Sequence, residues 1–337
     1  MKPYLVSLTL LVMLSLPGPG SYAADACDSD GNIQFICGPV SPEDLVAIPD
    51  SPWVVVSSMV NEGHLYIADK RNHSTTLVFP TAAAKIVPDT AAYGACPGPL
   101  TSEFRPHGLN VRPGTNGHHT LYVVAHGGRE AVEVFTVDVN GLIPILTWVG
   151  CVIAPDDVSL NSVTSLPGGG FATTNFNIQE GQLWEWHPVS GWAEVPGSTM
   201  AGPNGIVSSP DGRWFYIGGW SSDSLVRLSR GREPVQRAMV HVGFHIDNVR
   251  WAPDGSLLVA GQHGFEMESL GGCMSRGECD EVSSRVARVD PDTLMVEPLI
   301  NYPSNDKFIF GTVALQVGDE IWFGGIAGGN RIARFPF

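Results

Sequence analysis

One phrase recurs six times along the 337 residues, and it limits the chain to folds built from equivalent units around an axis. The phrase is a polar residue, a short strand-like run, a turn of Pro, Asp or Gly, and then an apolar run. Counted back seven positions from the turn, the shared place holds Glu43 in EDLVAIPD, His107 in HGLNVRPG, Asn161 in NSVTSLPG, Asn204 in NGIVSSPD and Asp247 in DNVRWAPD. The sixth copy, GTVALQVG, has Gly311 there. A rotational repeat gathers such equivalent positions around one axis, so the five polar residues form a candidate site.

Helical periodicity is almost absent; AAAKIV and AAYGAC are short and lie close to Pro and Gly. Short β-rich runs alternate with turn clusters instead. Each unit reads as four strands, as in GIVSS, WFYIGG, SLVRLS and VQRAMV of the fourth. The second strands begin near Trp53, Leu121, Phe171, Trp214, Leu257 and Ile321, and the shortest intervals are 43 residues. That matches the period of a four-stranded propeller blade, about 40–45 residues. The expected fold is all-β, a six-bladed β-propeller. Its sixth unit has three strands when the chain ends at NRIARFPF, while GNIQFIC near residues 31–37 is left over at the front. Donated to the last blade, that N-terminal strand closes the ring without a free edge. Longer intervals locate insertions at residues 80–103, between blades one and two, and at 262–284, between the second and third strands of blade five. In the second of these, Phe265, Met267 and Leu270 are placed to cover the mouth of the ring.

The first 23 residues read as a signal peptide: Lys2, an apolar LVSLTLLVMLSL, a PGPG break, and small residues Ser21 and Ala23 ahead of a cleavage point. The remainder, 24–337, is expected to be one secreted or periplasmic domain. All six cysteines fall in it, which suits an oxidising compartment. Pairing of neighbours, Cys27–Cys37, Cys96–Cys151 and Cys273–Cys279, is the simplest arrangement. With 19 basic against 34 acidic residues and a net charge of −15, nucleic acid and anionic membrane surfaces are disfavoured as partners. No later run is apolar enough to span a bilayer, and nothing suggests strong self-association, so a monomer is expected.

The first strand of each blade lines the channel, which brings Glu43, Asn161, Asn204 and Asp247 together, with Asn248 beside the last. Two carboxylates with neutral amide oxygens are hard ligands that suit Ca²⁺ better than zinc or copper. Asn and Asp also serve turns and strand ends, and any one of these residues alone reads that way. Five polar groups in register do not. His107 stands in the same register, and His126 ends the next strand; a neutral imidazole there can take a proton from water while a second orients it. His118 and His119 follow PGTNG and read as an exposed turn. No G-x-S-x-G elbow, Walker loop, dinucleotide fingerprint, HExxH or EF-hand loop occurs.

The segments PED, PHGLNV, LYVVAH, LNSV, GPNGI and HIDNVRWAPDGSLLVAG resemble, in blade order over nearly the whole mature chain, the calcium-dependent propellers of the paraoxonase/arylesterase family. They are also similar to the gluconolactonase/regucalcin and strictosidine-synthase-like propellers. The resemblance implies one catalytic Ca²⁺ held by Glu43, Asn161, Asn204, Asp247 and Asn248, and a histidine dyad of His107 and His126. It implies hydrolysis of a lactone or aryl ester as the activity. In gluconolactonase-like chemistry, an acidic metal ligand would activate the water instead of His107. Paraoxonases hold a second, structural calcium; Asp44 keeps one of its acidic ligands, but Ser162 stands where the other is expected. The family disulfide to the chain end has no partner here, because no cysteine follows Cys279. A ligand- or protein-binding propeller with a structural calcium, and a biosynthetic enzyme of the strictosidine-synthase-like group, remain alternatives.

Overall fold

The computed structural model of the protein describes residues 28–100, 102–264, 270–273, 279–327 and 329–337. The segment assigned as a signal peptide lies outside the described residues. Six antiparallel sheets of four strands form the blades of a β-propeller. Blade one is β2 (Pro42–Ala47), β3 (Trp53–Ser58), β4 (Leu65–Asp69) and β5 (Thr75–Phe79). Blade two is β7 (Phe104–Arg112), β8 (His118–Gly127), β9 (Ala131–Asp138) and β10 (Ile145–Ile153). Blade three is β11 (Leu160–Ser165), β12 (Phe171–Asn175), β13 (Gln182–His187) and β14 (Gly191–Glu194). Blade four is β15 (Pro203–Ser208), β16 (Trp214–Gly219), β17 (Ser224–Ser229) and β18 (Arg237–His241). Blade five is β19 (His245–Trp251), β20 (Leu257–His263), β21 (Ser283–Val289) and β22 (Val296–Pro303). Blade six is β23 (Ile309–Val317), β24 (Glu320–Ala327) and β25 (Arg331–Pro336), completed by β1 (Gln34–Cys37).

The inner strands β2, β7, β11, β15, β19 and β23 each touch the next, and β23 returns to β2, so the ring is closed. The N-terminal strand provides the closure expected from the sequence, with β1 antiparallel to β25 and Phe35 opposite Ala333. Alternation along β1 serves both neighbours: Phe35 joins the core between blades five and six, and Ile36 the core between blades six and one. The hydrophobic core is therefore a set of separate clusters, one per blade interface, because each twisted sheet buries both faces against its neighbours.

The 80–103 insertion adds a short strand, β6 (Lys85–Ile86), parallel to β10 at the outer edge of blade two. It also makes one helical turn, α1 (Thr90–Tyr93), whose first amides are accepted by the Asp89 side chain, although AAYGAC had read as too short for helix. The Cys96–Cys151 disulfide ties it down, and Tyr93 stacks on Trp186 at 5.9 Å between centroids. This insertion thus braces the rim between blades two and three. The Cys273–Cys279 disulfide is also formed, and two disulfides point to an oxidising, extracellular environment. Cys37 is disulfide-bonded too, but Cys27 of the expected pair lies outside the described residues. Among the described residues no helix is long and apolar enough to cross a membrane.

Candidate functional site

Every inner strand is broken at the shared register. Pairing with the second strand slips by one residue between Pro42 and Asp44, Pro106 and Leu109, Leu160 and Val163, Pro203 and Ile206, Ile246 and Val249, and Gly311 and Val313. These are β-bulges, which insert one extra residue and re-aim side chains. The residues inside the six bulges include Glu43, His107, Asn161, Asn204, Asp247 with Asn248, and Thr312. The recurring polar position is therefore also the recurring irregularity of the backbone. Close packing of the inner strands demands Gly at two adjoining places. A Cβ on Gly108 would meet the Asn161 carbonyl at 2.5 Å, and one on Gly205 would meet the Asp247 carbonyl at 2.5 Å.

The predicted site residues come together at one end of the channel, and all but His126 are buried. Asn248 Nδ2 donates to Glu43 Oε1 at 2.8 Å, across 205 residues of sequence. Asp247 Oδ2 accepts from Gln262 Nε2 at 2.7 Å, and the Asn204 side chain lies beside the same carboxyl. His107 Nε2 lies 3.6 Å from Glu43 Oε1. Asn161 is buried in the same register on β11. Burial and the neighbouring charges of Asp44 and Asp247 push the Glu43 carboxyl well above the usual carboxylate range. Burial likewise pushes Asp247 up to about 7. Desolvation, with His126 and Arg105 nearby, holds the His107 imidazole well below its ordinary value, so it is neutral.

Among the described residues, no group of three or more His, Cys, Asp or Glu side chains converges as a metal cage. The donor set here depends on amides. Glu43 Oε2, Asn204 Oδ1 and Asn248 Oδ1 are buried oxygens with no hydrogen-bond partner. Buried acceptors left without donors are costly, and two carboxylates held near amide oxygens raise that cost. Carboxylate and amide oxygens of this kind are hard donors, so the chemistry of the donors fits Ca²⁺. The second position does not fit. Asp44, fully buried, receives the Arg250 guanidinium on both carboxylate oxygens, and the amides of Leu45 and Leu109 at 2.8 and 2.6 Å. Arg250 also donates to the carbonyls of Leu45, Leu109 and Val249. A side-chain cation thus stands on the only acidic ligand of that position, and Ser162 Oγ is directed to the amide of Ile206.

Beside Glu43, the two histidines form a hydrogen-bonded pair. His107 Nδ1 and His126 Nε2 are 2.8 Å apart, and His126 Nδ1 is 2.7 Å from Glu130 Oε2. His126 has counterparts at the equivalent place one residue beyond the bulge partner in each second strand: Met59, Phe176, Trp220, Gln262 and Ile326. Phe176 meets Trp220 edge-on at 6.1 Å, Trp220 stacks on His245 at 4.6 Å, and Trp220 Nε1 donates to Gln262 Oε1. This second ring makes a largely apolar collar around the polar one. Leu270 is buried beside it with Phe310, Trp220 and Ile326, which anchors the blade-five insertion at the rim. Phe265 and Met267 lie outside the described residues.

Glu130, Arg250 and Gln262 were not singled out from the sequence. Gln262 was within reach, since it stands five residues after Leu257 just as His126 stands five after Leu121. His119, read as part of an exposed turn, is instead buried at the start of β8, where its Nδ1 accepts from the Gly114 amide. His118 is exposed, as expected.

No protein-family model matches the sequence, and no curated protein matches it. Solved structures do match. A luciferin-regenerating enzyme aligns with a TM-score of 0.56 at 12% identity, over 90% of this chain and 94% of its own. A protein named as a candidate gluconolactonase aligns at 0.54 and 12% identity, over 90% and 91%. Virginiamycin B lyase from Staphylococcus aureus aligns at 0.52 and 12% identity, over 91% and 99%. At such identities the likeness establishes the fold, a six-bladed β-propeller covering nearly the whole of each chain.

Proposed function

We propose that the protein is an exported, calcium-dependent hydrolase of lactones or aryl esters, of the paraoxonase-like kind. The observation that carries this reading is a neutral, buried imidazole 3.6 Å from the Glu43 carboxyl, in the same ring of inner-strand bulges as the unpartnered oxygens of Glu43, Asn204 and Asn248. A site that only stiffened the channel would need no base beside it. Glu43, Asn161, Asn204, Asp247 and Asn248 would hold one Ca²⁺, which when bound supplies polarisation of a carbonyl and stabilisation of the oxyanion. His107 Nε2 takes a proton from water as the water oxygen bonds to the acyl carbon, and gives it back to the leaving alkoxide or phenoxide as the acyl–oxygen bond breaks. His126 holds the His107 ring through its Nε2. The collar of Met59, Phe176, Trp220 and Ile326 favours an apolar or ring-bearing substituent on the substrate. The alignment with a candidate gluconolactonase is consistent with lactone chemistry on this fold.

Metal content and hydrolysis should be measured on one purified sample, with a panel of lactones and phenyl esters, before and after EGTA. Bound calcium, with turnover that vanishes on chelation and returns with Ca²⁺, is the expected result. Calcium without turnover on any substrate would replace the hydrolase with a binding propeller, and absence of calcium would remove the metal site altogether.

A further inference from the structure

Glu130 follows the short turn between β8 and β9 at the same end of the ring as the candidate site, and neither of its carboxylate oxygens is idle. Oε2 faces His126 Nδ1 at 2.7 Å, and Oε1 accepts from the Leu160 amide of blade three at 2.6 Å. A carboxylate can only accept, so His126 must carry its proton on Nδ1. In the neutral imidazole, Nε2 is then the acceptor. The atom 2.8 Å away, His107 Nδ1, must therefore be the donor. That leaves the lone pair of His107 on Nε2, the nitrogen turned toward Glu43. With His126 neutral, each link follows from the previous one.

We infer that Glu130 is the positioning residue of a Glu130–His126–His107 relay, selecting by two successive hydrogen bonds the tautomer that presents a bare nitrogen to the site. The assignment of tautomers stands on geometry alone; its catalytic consequence rests on the proposed hydrolase. Without Glu130, His126 is free to carry its proton on Nε2. His107 would then accept at Nδ1 and turn a protonated Nε2 toward the site, where it could no longer receive a proton from water.

The substitution Glu130→Gln separates this from a merely structural role. The Leu160 amide is a fixed donor, so the glutamine carbonyl stays on that side and its NH₂ group faces His126 Nδ1. The whole relay then inverts at nearly constant shape. Histidine-¹⁵N-labelled calcium-loaded protein at neutral pH reports each tautomer through long-range proton–nitrogen correlations, assigned with single His→Gln variants. In the wild type, both rings are expected to be protonated on Nδ1; in Glu130→Gln, both switch to Nε2. Turnover is expected to fall about 100-fold, the usual worth of a general base, with KM and calcium content unchanged. A wild-type His107 protonated on Nε2 overturns the inference even if the variant fails to fold. Unchanged tautomers in the variant also overturn it. If the tautomers switch but the wild type hydrolyses nothing, the hydrolase reading fails and the relay stands; metal-dependent hydrolysis with unswitched tautomers is the converse.

Discussion

Glu43 and Asp44 are neighbours on one strand, both buried, and the chain treats them in opposite ways. Asp44 is given a cation of its own: burial pushes its carboxyl up, while Arg250 and the amides of Leu109 and Leu45 pull it back. Glu43 receives one amide donor from Asn248 and keeps an oxygen without a partner. Buried charge is tolerated where the fold supplies compensation, and Arg suits this because it brings several donors in a rigid fork. The Glu43 side of the strand lacks that compensation, which is what the proposed cation would bring. The difference separates a structural polar core from a candidate binding site, although the two carboxylates are adjacent in sequence.

The comparison breaks most sharply at Asp247. Asp247→Ala and Asn204→Ala are expected to abolish calcium binding and hydrolysis together, measured by elemental analysis and turnover; retained calcium with full activity would end the metal reading of this side. On the Asp44 side, Arg250→Met strands a buried carboxylate and should cost about 3–5 kcal/mol in chemical denaturation. Adding Asp44→Asn should recover most of that loss. The wild-type protein should bind one calcium per chain; two would show that the guanidinium does not occupy the second position. His107→Gln should lower turnover about 100-fold while calcium stays bound, and full activity would take the histidine out of the mechanism.

The smallest effect sharpens the comparison through pH. Asp247 in the metal-free chain has its pKa raised to about 7, against about 3.9 when unfolded. The folded state then holds that proton more tightly than the unfolded state. Its contribution to stability is complete below about pH 4 and lost as pH rises through 7. Metal-stripped protein should therefore melt lower at pH 8 than at pH 5. Calcium should narrow the gap, and Asp247→Asn should remove this part of the slope. Melts that rise with pH in stripped protein, unaffected by Asp247→Asn, would contradict the assignment.

Much of the architecture was legible because a repeat declares itself several times. The second-strand starts at Trp53, Phe171, Trp214 and Leu257 coincide with observed strand starts, and the surplus strand near residues 31–37 does close blade six. His119 was misread because PGTNG signals a turn but does not say where the following strand begins. Arg250 was invisible as a partner of Asp44, since 206 residues separate them. Glu130 is four residues from His126, but its role shows only once its other oxygen meets the Leu160 amide of blade three.

The sequence by itself determined the number of units, their order, and the register of Glu43, His107, Asn161, Asn204 and Asp247, since strand and turn chemistry act over a few residues and repeat. Only the tertiary structure decided what those residues face. The bulges that turn them into the channel and the relay from Glu130 to His107 depend on how strands of one blade pair and turn, and the Arg250 cation under Asp44 on blades five and one meeting at ångström distances. Hydrogen-bond direction and charge compensation are set by those meetings in three dimensions, which local pattern does not encode.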